Sequence, residues 1–248
     1  MQEIALPTPD GDARAFTFTP SGEGPWPAAI IFMDAPAIRP ALFEFGERLA
    51  ANGYFTLLPD LFWRAGPYAP INVKEVFADE AKRREVFGKL TGSTSPEKQL
   101  VDAKACLDYL AKQPQVKGDK VAITGYCMGC GVVMRVAGTY PDRIAAAAGF
   151  HGGRLATDAP ESPHLLAPKI TAKVLVAGAE EDAGFPPEQA DRLRAALTSA
   201  GVDNEVTIYP GARHGYTMPD LPVYNEAAAE RHWTEMLALF DGTLKVAA

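Results

Sequence analysis

Gly125-Tyr126-Cys127-Met128-Gly129 lies between a short apolar run, Val121 to Thr124, and a helical pattern from Met128 to Tyr140. A nucleophile with glycine two positions to either side, on a turn from strand to helix, is the elbow pattern G-x-nucleophile-x-G, here with cysteine where serine is commoner. The spacing has a steric cause. The turn is so sharp that side chains at the flanking positions would strike neighbouring backbone, which leaves room for glycine alone. The same turn lifts Cys127 above the sheet and sets it at the positive end of the following helix, which favours thiolate over thiol. The backbone N–H of Met128 faces that space and is a candidate oxyanion donor.

Outward from the elbow, short apolar runs alternate with longer helical patterns, the signature of a mostly parallel sheet with crossover helices. The runs are Ala28 to Met33, Tyr54 to Leu58, Ala145 to Phe150, Val174 to Ala177 and Val206 to Tyr209. Helices are expected over Pro40 to Ala51, Pro96 to Gln113, Pro187 to Ala200 and Asn225 to Phe240. An α/β-hydrolase fold needs nucleophile, acid and histidine in that chain order, each after the carboxyl end of a strand. Gly178-Ala179-Glu180-Glu181-Asp182 supplies the acid, and Pro210-Gly211-Ala212-Arg213-His214-Gly215 the histidine. Asp182 is the preferred acid, because Phe185-Pro186-Pro187 then opens the next helix; Glu180 and Glu181 stay open as alternatives. His214 would take the thiol proton and later protonate the leaving alcohol, with the acid orienting its ring.

Residues 61–95 break the alternation, mixing Trp63, Gly66, Pro67 and Pro70 with a charged helical stretch, Asp79 to Arg84. An insertion of that length in a compact domain reads as a lid or cap over a site. The expected organisation is one domain, 1–248, carrying that insertion. Net charge is −7, with 24 Lys and Arg against 31 Asp and Glu, which argues against nucleic acid or anionic membrane as partner. Met1-Gln2-Glu3-Ile4 lacks the basic start of a signal peptide, and a cytoplasmic protein is expected, as monomer or weak homodimer.

The three cysteines fit neither a disulfide framework nor a zinc ribbon. Cys106 sits beside Leu107 as a small hydrophobe. Cys127 and Cys130 also spell C-x-x-C, but a redox motif has no use for the acid and histidine loops. His151, His164 and His232 carry no motif.

At Gly125–Gly129 the chain resembles the dienelactone hydrolase family. The resemblance extends through Met33-Asp34-Ala35, Leu58-Pro59-Asp60-Leu61-Phe62 and His214-Gly215-Tyr216. It implies hydrolysis of a small lactone such as dienelactone through a Cys127–His214–Asp182 triad, with no metal or organic cofactor. It further implies that Asp34 stands where a family glutamate activates the thiol, and that Ala35 supplies a second oxyanion N–H beside Met128. Substrate contacts are expected from Arg83, Arg213, Tyr126 and Tyr216. The family's second carboxylate-binding arginine falls at Met218, which weakens the case for an acidic lactone. A broad small-ester carboxylesterase is the alternative, and a low-turnover ligand-binding protein on the same fold a further one.

Overall fold

A computed structural model describes residues 1–245; the last three positions of the expected domain, 246–248, lie outside it. Two compact units emerge, Met1–Asp119 and Lys120–Ala248.

In the first, β1 (Gln2–Thr8) and β2 (Gly11–Phe18) form an antiparallel hairpin, pairing Thr8 with Gly11 at the turn and Gln2 with Thr17 at the far end. The sequence reading has no strand there. The reason is burial: of β1 only Leu6 is buried, so no apolar alternation marks it. β3 (Ala28–Phe32) is fully buried and is followed by α1 (Pro40–Ala51) and then β4 (Phe55–Pro59), parallel to β3 and antiparallel to β2. Proline at the first turn starts α1; Leu42, Phe45 and Leu49 form its inner face. Each contributes about 1.5–3 kcal/mol by burial. Gly53, at φ +82°, ends the turn after it, as its place in the sequence requires.

The insertion opens with a tight helical turn, Trp63–Ala65, and continues through α2 (Val73–Ala78) and α3 (Glu80–Thr91). The charged stretch is thus a longer helix than expected, begun by Asp79 accepting from the Lys82 N–H. α4 (Pro96–Leu110) is capped by Ser95, which accepts from the Lys98 N–H. It stops three residues short of Gln113, and its buried face centres on Asp102, Ala103, Cys106 and Leu107, with Leu100 only half-buried.

In the second unit β5 (Val121–Tyr126) leads into α5 (Met128–Thr139), β6 (Ile144–Phe150), β7 (Lys173–Glu181), α6 (Pro187–Ser199), β8 (Asn204–Arg213) and α7 (Glu226–Leu244). The strands lie in the order β5-β6-β7-β8, all parallel. β7 and β8 outrun their apolar cores, reaching Glu181 and Arg213, and those two residues pair across the ladder after a register shift. That pairing decides the site: the next residues on the two chains, Asp182 and His214, emerge side by side. Among the described residues no helix is long and apolar enough to cross a membrane.

Candidate active site

Cys127 adopts φ 54° and ψ −115°, a conformation that costs a non-glycine residue of order 1–3 kcal/mol and persists only where the surroundings impose it. They do so here. The Cys127 N–H donates to the Phe150 carbonyl at 3.1 Å, and the Cys127 carbonyl accepts from the Cys130 N–H at 3.1 Å. A Cβ on Gly125 would lie 2.2 Å from the Gly129 carbonyl oxygen and 2.8 Å from Val133 Cγ2, so no other residue fits. The thiol is thereby held at the N-terminus of α5, with Met128 as that helix's first residue.

His214 Nε2 lies 3.1 Å from Cys127 Sγ, and its Nδ1 lies 2.6 Å from Asp182 Oδ2. The second carboxylate oxygen of Asp182 accepts the Gly184 N–H at 2.8 Å, which leaves the carboxylate little freedom to turn. Burial lowers the His214 pKa, but hydrogen bonds to Asp182 and Cys127 and the attraction of both negative groups outweigh it, pushing it up to about 10. The arrangement can therefore hold the His214 ring charged at neutral pH, with Asp182 stabilising that charge.

The alternative acids are occupied elsewhere. Glu180 accepts the Gly211 N–H at 2.8 Å, and Glu181 faces Arg213 at 3.6 Å. Both still belong to β7, whereas Asp182 is the first residue beyond it.

Several expected contributors stand differently. Tyr126 is fully buried, its ring stacked on Phe150 and its hydroxyl 3.3 Å from His232 Nε2, so it belongs to the core under the elbow and not to a substrate surface. Tyr216 is likewise fully buried, its hydroxyl donating to the Ala177 carbonyl at 3.3 Å. Arg213 is exposed beside Glu181. Met218 is fully buried.

In the first unit, Ala35 opens the turn after β3, and Asp34 is buried. Asp34 is held by Arg39, whose two terminal nitrogens donate to the two carboxylate oxygens at 2.5 and 2.9 Å. Arg39 has no motif around it, and the sequence reading passes over it. Arg83 lies on α3 with its guanidinium 6.0 Å from the Phe77 ring.

Cys130 does not behave as a redox partner. Its thiol is packed against Gly149 and Gly152, where an added Cβ would come within 2.2 and 2.6 Å of the sulfur. Burial, with the nearby Cys127 charge, pushes it up to about 12, which leaves it a thiol at any ordinary pH. Cys106 is fully buried, and burial together with the charge of Asp102 raises its thiol well above the usual range. His232 is fully buried against Phe150 and Trp233, and His164 is braced by the Ser162 hydroxyl at 2.9 Å. Among the described residues no group of three or more His, Cys, Asp or Glu side chains could hold a metal ion.

The model of the dienelactone hydrolase family matches residues 13–244. The chain belongs to the dienelactone hydrolase family. A Synechocystis sp. protein provisionally named carboxymethylenebutenolidase is 26% identical over 245 residues, 98% of this chain and 96% of that one. An Escherichia coli protein of the same provisional name is 28% identical over 246 residues, 95% of this chain and 84% of that one. A crystal structure from Klebsiella pneumoniae, provisionally named dienelactone hydrolase, superposes with a TM-score of 0.83 at 24% identity, covering 96% of this chain and 97% of that one. This member of the dienelactone hydrolase family is thus a carboxylic ester hydrolase of the α/β-hydrolase fold, a mostly parallel sheet flanked by helices.

Proposed function

We propose that this chain hydrolyses small esters or lactones through a Cys127–His214–Asp182 triad and an acyl-cysteine intermediate. The observation that carries the reading is the unbroken line from Asp182 Oδ2 through the His214 ring to Cys127 Sγ, at 2.6 and 3.1 Å. In the first half-reaction the thiolate sulfur bonds to the ester carbonyl carbon, and the carbonyl π electrons move onto oxygen. The Met128 N–H, at the start of α5, stabilises that oxyanion. Collapse expels the alkoxide, which takes the proton from His214 Nε2 and leaves a thioester on Cys127. His214, now neutral, takes a proton from water as its oxygen attacks the thioester carbon. The sulfur departs as thiolate, and the carboxylic acid is released. For a lactone, alcohol and acid remain parts of one product, as in the opening of dienelactone to maleylacetate.

Two observations favour a neutral ester or lactone over an acidic one. Met218 is apolar and fully buried, and the nearby cation Arg213 already faces Glu181. A charge-assisted contact missing from each position forgoes about 1.5–3 kcal/mol of carboxylate recognition.

The test is Cys127→Ala against Cys130→Ala and Cys106→Ala on a short aryl ester. Cys127→Ala should lower kcat/KM by about a thousandfold or more with an unchanged melting temperature, whereas the other two keep most activity. Turnover by Cys127→Ala at a rate near that of the parent removes the triad reading.

A further inference from the structure

His151 is a buried histidine that the triad does not use. It follows β6 directly, at φ 40°, and its ring is fully buried. Its Nε2 meets the Thr217 hydroxyl at 2.7 Å, and its ring packs nearly perpendicular to His214, with centroids 5.3 Å apart. On another side it packs on Tyr216 at 5.2 Å. Backbone bonds complete the brace. The Ala177 carbonyl of β7 accepts both the His151 N–H at 2.9 Å and the Tyr216 hydroxyl at 3.3 Å. The segments after β6 and β8, bearing His151 and His214, are thus tied to one carbonyl of β7, the strand that leads to Asp182.

We propose that His151 is a positioning residue: hydrogen-bonded to Thr217, it fixes the tilt of the His214 ring between Asp182 and Cys127. The role is needed because His214 is not held by burial on every side; two-fifths of its side chain remains exposed. Asp182 grips the ring at one atom and leaves it free to swing about that bond. A rigid aromatic wall on the buried side removes the swing, and Thr217, three residues after His214, locks that wall to the histidine's own loop. A small error in Nε2 placement is expensive, since a shift of about 1 Å in a reacting group can cost a hundredfold in rate.

The proposal rests on the triad reading, and the test separates the two. Thr217→Val keeps the shape of the side chain and deletes the hydroxyl; His151→Phe keeps the ring and deletes the nitrogen. Each should lower kcat about tenfold at a KM within a factor of two, and should move the pH at which the His214 ring signal titrates by NMR. Thr217→Ser, which restores the hydroxyl, should recover most of kcat. The double variant should be no worse than the poorer single variant, because both delete one interaction. If His151→Phe fails to fold, the Thr217 pair decides alone. Thr217→Val with parental kcat and an unmoved His214 titration overturns the positioning role, as does a loss confined to KM. Neither result touches the triad, which the Cys127→Ala variant tests separately.

Discussion

The elbow at 125–129 and the insertion at 61–95 both depart from plain strand-helix alternation, and they are held in opposite ways. At the elbow the constraint is backbone against backbone: an added Cβ at Gly125 would meet the Gly129 carbonyl oxygen at 2.2 Å. In the insertion the constraint is charge, and it acts at the root. Buried Asp60 accepts from Arg14, from the Tyr68 hydroxyl at 2.6 Å and from the Phe62 N–H. Buried Asp102 on α4 takes both terminal nitrogens of Arg64, at 2.8 and 2.9 Å. Beyond the root, α3 buries only Leu90, and its pairs Lys82–Glu75 and Arg84–Glu80 are exposed. A steric constraint forces residue types and so writes itself into the sequence. A charged root with solvated helices above it permits many sequences and writes little.

The largest effect expected lies on the triad side of this contrast. Asp182→Asn should lower kcat by about a thousand- to ten-thousandfold, because the histidine loses the charge that orients it. Glu181→Gln, one residue earlier on β7, should stay within about twofold, since its partner is Arg213. Steady-state kinetics on one ester reads both, and a damaging Glu181→Gln would move the acid back into the strand. Next comes a glycine pair. Gly125→Ala should cost about 3 kcal/mol or more in denaturant unfolding, because the clash is with backbone that cannot retreat. Gly88→Ala, inside α3 with nothing within 4 Å of the added carbon, should stabilise by about 0.5–1 kcal/mol. Equal effects at the two glycines would erase the distinction.

The meeting of Cys127, Asp182 and His214 was legible because each stands at a forced place: an elbow turn, the end of β7 and the end of β8. Asp182 was separable from Glu180 and Glu181 only weakly in sequence, since nothing there shows that β7 continues to Glu181. The edge strand β1 was not legible, as an exposed edge strand needs no apolar alternation. Tyr126 and Tyr216 misled because an aromatic residue beside a catalytic one reads as a substrate contact, while the pleat and the loop turn both rings into the core. His151 and Thr217 are far apart in sequence, and only the fold makes them neighbours.

The smallest effects should separate the insertion's root from its rim. Asp102→Asn removes the buried one of Arg64's two charged partners, leaving only exposed Asp10, and should cost about 2 kcal/mol of stability. Lys82→Ala, which removes an exposed pair, should change stability by no more than about 0.5 kcal/mol. Thermal unfolding of the two variants measures the difference, and a Lys82 effect as large as that of Asp102 would show that the insertion is held along its whole length.

The central claim, that the acyl group passes through Cys127, is tested most directly by trapping it. The protein is mixed with an activated ester whose acyl group deacylates slowly, quenched in acid within the first turnover, and weighed intact and after proteolysis. One added acyl group per chain is expected, on the peptide containing Cys127, labile to hydroxylamine at neutral pH as a thioester should be, and absent from Cys127→Ala. An acyl group found on another residue, or rapid turnover with no acyl-enzyme at any quench time, would contradict the account.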